Sequence, residues 1–136
     1  MDFKPPFHEK ILDLVLNINI DSSTRAYWEA HAEIRKICET HENTVLDHPF
    51  QWETLADFTH DKNLQISAYL KALKLAQKMN HAEYITSIAV ELSELFIAEN
   101  NAEQAIAYCK LAKDAAYCTN DSQLQIDVDS IEKRLL

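Results

Sequence analysis

Residues 89–112 read AVELSELFIAENNAEQAIAYCKLA, with small and bulky apolar side chains three or four apart on both sides of Asn100–Asn101. That spacing suits a helix with one buried face, and the polar pair between the two runs marks a tight connection. The stretch therefore predicts two antiparallel helices sharing a close seam. Glycine is the usual residue for close helix approach and for a left-handed turn, yet none occurs in 136 residues. Ser93 is nearly as small at the seam, and Asn100 tolerates the left-handed backbone next best at the turn.

The same period fills almost every segment after residue 22, and Pro occurs only at 5, 6 and 49, so helix breakers are few. No β-hairpin signal appears. Seven helices are expected, at about 7–17, 23–41, 49–60, 63–79, 81–99, 101–118 and 121–135, their starts marked by Asp, Asn and Ser. The second follows the DSS of residues 21–23 and sets Ala26, Tyr27, Ala30, Ile34, Ile37 and Cys38 on one face. The first is the exception, because Leu12, Leu14, Leu16, Ile18 and Ile20 alternate as in a strand. A lone strand has no partner in a helical chain, so a helix ending in an extended segment is expected. The connections are short, which makes neighbouring helices antiparallel hairpins and the fold class all-α.

On these residues the chain resembles the tetratricopeptide-repeat (TPR) family, whose unit of 34 residues carries W-x2-L-G-x2-Y and then A-x3-F. Residues 86–119 match it with Ala89, Leu92, Ser93 and Phe96 in the first helix and Ala105, Cys109 and Ala112 in the second. A second unit, 49–82, supplies Trp52, Leu55, Ala56 and Ala68; beyond Ala68, an alternative register through YLKALKLA at 69–76 stays open. In the last helix, within 120–136, Leu124, Val128, Ile131 and Leu135 form an apolar stripe, with Asp127, Asp129, Glu132, Lys133 and Arg134 elsewhere on it. The resemblance implies a short right-handed solenoid of stacked hairpins closed by that helix as a cap. Residues 1–48 are expected to form N-terminal helices, with a degenerate repeat as one reading of them, within a single domain spanning 1–136.

Composition narrows the function. Thirteen basic and 22 acidic residues leave a net charge of −9, which disfavours nucleic acid or an anionic membrane as partner and suits a basic protein. The longest apolar run, ILDLVL from Ile11, is too short to span a bilayer, and MDFKPPFHEK lacks the pattern of a signal peptide, so a cytoplasmic location is expected. Cys38, Cys109 and Cys118 show no C-x-x-C spacing and read as buried, reduced thiols. Without glycine there is no phosphate-binding loop, and no H-E-x-x-H or paired-Cys zinc spacing occurs. No cofactor, metal or catalytic residue is expected. A metal or enzyme site around His41, His48 and Cys38 is the dissenting reading.

Charge is also distributed unevenly. No Lys or Arg lies between Lys36 and Lys62, a window with Glu39, Glu42, Asp47, Glu53, Asp57 and Asp61. None lies between Lys78 and Lys110 either, against Glu83, Glu91, Glu94, Glu99 and Glu103. In TPR proteins the first helix of each unit lines the concave groove, so the resemblance implies an acidic groove. The expected partner-binding residues are Phe50, Glu53, Asp57, His60 and Asp61 in the first unit, and Ser87, Val90, Glu94 and Ile97 in the second. In size, acidity and repeat type the chain is similar to bacterial immunity proteins, which neutralise a cognate toxin by binding it. That similarity implies a protein partner, a basic toxin domain; the alternative is an adaptor or secretion chaperone that cradles an extended peptide.

Overall fold

The computed structural model describes residues 4–20 and 23–136, and among them the chain is entirely helical. Seven helices follow one another: α1 (His8–Ile20), α2 (Thr24–His41), α3 (Pro49–Asp57), α4 (Lys62–Lys78), α5 (Ala82–Ala98), α6 (Ala102–Ala116) and α7 (Ser122–Leu135). The all-α expectation holds, and no described helix is long and apolar enough to cross a membrane. The backbone groups into two compact units, one ending at Ala72 and the other starting at Leu73.

Helix boundaries follow from side chains that satisfy free backbone groups. Ser23 Oγ accepts from Ala26 N at 3.1 Å, Asn101 Oδ1 from Gln104 N at 3.1 Å, and Asp121 Oδ1 from Gln123 N and Leu124 N. Such caps each stabilise by about 1 kcal/mol. Asp21 and Ser22, expected to help start α2, lie outside the described residues. Two caps were not foreseen: His48 Nδ1 accepts from Phe50 N, and His81 Nδ1 from Tyr84 N.

Helix ends answer the missing glycine. Asn100 has φ 58°, as its position in the quoted stretch demands, and Asn43 and Asn80 do likewise at 64° and 52°. After Asn80 and Asn100 the next amide reaches back five residues, His81 N to Ala76 O at 3.0 Å and Asn101 N to Phe96 O at 2.9 Å. Both turns are Schellman closures with asparagine in place of glycine.

In the first unit α1, α2 and α3 pack together around Ile11, Ala30, Ile34, Cys38, Trp52 and Ala56. Here α1 departs from expectation, remaining helical through Ile18 and Ile20, where an extended segment was expected. Ile11 is buried and Leu14, Val15 and Ile18 are half-buried, while Leu12, Leu16 and Ile20 face outward. The alternation therefore came from a helix with apolar residues on two sides. Gln51 is fully buried; oriented with its amide nitrogen toward Pro6 O and Leu46 O, it donates to both at 3.2 Å. Trp52 donates Nε1–H to Asp47 Oδ1 at 2.7 Å, and Lys71 places its ammonium 4.5 Å from the Trp52 ring while pairing with Glu42 at 2.7 Å.

In the second unit α5 and α6 form a hairpin, and α7 packs on both. Ser93 is fully buried and donates to Ala105 O, on α6, at 2.7 Å. A hydroxyl meets a backbone carbonyl of the opposite helix directly, which is the close approach predicted from its size. Phe96 stacks on Tyr108 with ring centroids 5.6 Å apart. The α7 stripe turns inward as expected: Val128 and Ile131 are buried, with Leu124 and Leu135 half-buried.

Candidate functional site: a ring-lined cleft beside α2

The site is prepared where α3 stops. The sequence reading carried this helix to His60, but it ends at Asp57, and the Phe58 amide bends back toward Thr54 O and Leu55 O. Thr59 Oγ1 donates to Leu55 O at 2.6 Å and stands 3.1 Å from His31 Nε2. Since that hydroxyl proton points at Leu55, His31 Nε2 must be the donor, which assigns the tautomer from the network. Tyr27 Oη donates to Phe58 O. Two side chains of α2 thus tie down the turn at 58–61, and Asp61 closes it by accepting from Leu64 N at 3.0 Å as α4 begins.

Between α2 and this turn lies an open cleft of about 420 Å³ within the first unit, bordered by Tyr27, Trp28, His31, Glu39, His60 and Leu64 among others. Its rings cluster closely: Tyr27 lies 5.1 Å from Trp28, 5.9 Å from His31 and 5.0 Å from His60 by centroid. Trp28 is 55% exposed and Leu64 60%, so the mouth offers apolar area to solvent. Burial, then the charges of Arg35 and His60, hold His31 below the usual histidine range. Burial also raises the Tyr27 hydroxyl. On the charged side Arg35 Nε pairs with Glu39 at 2.7 Å, with Lys36 and Asp61 on the same border.

Of the expected binding residues in the first unit, only His60 and Asp61 reach this cleft. Their projection onto one helical face with Phe50, Glu53 and Asp57 fails because no helix continues past Asp57. Phe50 is half-buried with its ring 5.3 Å from His8, and Glu53 is half-buried. Asp57 accepts from Tyr69 Oη; burial raises its carboxyl above the ordinary range, against the lowering effect of that bond. The residue is exposed at the surface, and one of its carboxylate oxygens is taken by Tyr69 within the fold.

In the second unit the expected face of α5 is covered. Val90, assigned as an apolar anchor for a partner, is buried in the core with Cys109, Val128 and Ile131, and Ile97 packs against that core beside Leu135. Glu94 pairs with Arg134 of α7 at 3.6 Å, and Ser87 Oγ turns to its own helix at Tyr84 O. The reason is that α7 lies on the side of α5 that was assigned to a guest.

Three residues of the cleft went unassigned in the sequence reading. Tyr27 was placed on the apolar face, and Trp28 and His31 were not singled out. The signal was present in YWEAHAEI: Trp28 lies off the face of Ala30, Ile34 and Ile37, and His31 and Arg35 follow it at i+3 and i+7. The alternative chemistry around Cys38 is engaged elsewhere. Cys38 is fully buried, and burial, reinforced by nearby carboxylates, pushes its thiol up to about 12. His41 stacks on Phe7 at 4.6 Å and His48 caps α3. Cys109 is buried as expected, but Cys118 is exposed because α6 ends two residues earlier. Among the described residues no three His, Cys, Asp or Glu side chains stand so as to hold a metal ion. Comparison of the chain with protein-family models, with curated proteins and with solved structures gave no match.

Proposed function

We propose that the chain is a protein-binding module of TPR-like stacked hairpins, and that it serves as an immunity protein which binds and neutralises a basic toxin domain. The observation that carries the reading is Trp28, 55% exposed at the mouth of the ring-lined cleft. An outward tryptophan beside a concave surface is the residue type on which binding energy concentrates. The net charge of −9 would draw a basic partner over long range and speed the encounter. Support for stacked hairpins comes from the Ser93–Ala105 contact, the paired asparagine turns and the inward stripe of α7. Contact would run through α2 and the 58–61 turn, with His60 and Asp61 retained from the expected partner-binding residues. The reading places the protein in the cytoplasm, without cofactor, catalytic step, nucleic acid or membrane.

The reading requires a toxin-like reading frame beside this chain's gene, and co-expression with the basic domain of such a toxin tests it. Growth should be rescued, and the purified pair should co-elute as a complex. Trp28→Ala, a change at an exposed side chain, should weaken the complex by about 30-fold, which is about 2 kcal/mol for a central aromatic contact. Absence of both rescue and complex refutes the reading. Equal binding to an unfolded segment of the same domain would favour the peptide adaptor instead.

A further inference from the structure

We propose that the cleft beside α2 receives an arginine side chain, its guanidinium lying against Trp28 and Tyr27 with its edge toward Asp61. The inference deepens the reading above and rests on it for the source of the arginine, which would be the partner's surface.

Three features select this occupant. The first is the ring cluster. Trp28 and Tyr27 meet edge to face, at 82°, so a flat cation in the angle can stack on one ring and touch the other. The second is Asp61. Its Oδ1 accepts from the Leu64 amide at 3.0 Å, and no ion pair engages it among the described residues. The carboxylate is therefore already oriented by its capping role and loses little freedom on binding a cation. The third is charge balance. Glu39 is held by Arg35 at 2.7 Å, and Lys36 stands at the border, so the cleft is not a general acidic patch. Attraction has to come from the rings together with Asp61.

Other occupants fit less well. An anion would meet the Asp61 carboxylate, with Arg35 already paired to Glu39 and only Lys36 left to attract it. An apolar side chain would gain from the rings but desolvate the Asp61 carboxylate without a partner. Lysine carries the charge as a compact, strongly hydrated point and cannot stack, whereas guanidinium is planar and more weakly hydrated.

The test is an amide NMR titration of the full chain with N-acetyl-arginine amide, beside the lysine, citrulline and phenylalanine equivalents. Citrulline keeps the planar end group and removes the charge. Arginine should produce saturable shifts at Trp28 Nε1–H and the Leu64 amide, with a dissociation constant on the order of millimolar for so small a ligand. Trp28→Ala and Asp61→Asn should each weaken it at least 5-fold. Asparagine also caps helices well, so the second variant keeps the start of α4. Equal binding of citrulline, lysine or phenylalanine overturns the proposal, as do shifts confined to other helices or indifference to Asp61→Asn. If arginine fails here while rescue in cells still depends on Trp28, this inference falls and the binding function stands. Arginine binding without rescue would leave the site in place and remove the immunity reading.

Discussion

Ser93→Leu should be among the most damaging single changes in the second unit. Ser93 is fully buried, and its hydroxyl lies 2.7 Å from a backbone carbonyl of α6, so a larger side chain has no space without separating the helices. Overpacking a core costs about 1–3 kcal/mol. The lost hydrogen bond adds about 1 kcal/mol, for a total of about 3 kcal/mol. Ser93→Ala removes only the bond, and the better helix propensity of alanine returns about half of that loss. With a urea slope of about 1.5 kcal/mol per molar, leucine should lower the unfolding midpoint by about 2 M and alanine by less than about 0.5 M. Far-UV circular dichroism is the appropriate probe, because both tryptophans, 28 and 52, report on the first unit. Midpoints for leucine and alanine within about 0.3 M of each other would refute the close-approach argument for α5 and α6.

Two further outcomes follow from single groups. Of the three thiols, Cys118 should react with a neutral aromatic disulfide at the rate of a free thiol, whereas Cys38, buried with its thiol pushed up to about 12, should react only after unfolding; rapid labelling of Cys38 in native buffer contradicts its placement. His31 has its folded pKa below the unfolded 6.5, so the unfolded chain takes up its proton first. Its contribution to stability is present above about pH 6.5 and lost as pH falls toward the depressed value. Urea midpoints should therefore drop more between pH 7.5 and 5 for the native chain than for His31→Gln. Parallel profiles would show that His31 titrates alike in both states.

Much of the helical order was legible along the chain. The apolar period placed seven helices within a few residues, and Ser23, Asn101 and Asp121 marked three starts because a cap is a local hydrogen bond. Ser93 and Asn100 were interpretable too, since side-chain size and left-handed tolerance are properties of single residues. Where α3 stops was less legible. Phe58 and Thr59 have no breaking propensity of their own, and the bend is held by Tyr27 and His31 from a helix some thirty residues away. The turn those two bonds tie to α2 borders the cleft, so the site could not be read from residues 49–61 alone.

Periodicity by itself determined that each helix has an inward face, because burial favours one side of a 3.6-residue turn. Only the tertiary structure decided which remaining face meets solvent. Val90 and Ile97 project from α5 much as an open anchor would, yet α7 covers them; Trp28 projects from α2 in the same manner and stays uncovered. Neighbouring residues set the direction of a side chain, whereas what lies opposite depends on where the rest of the chain comes to rest.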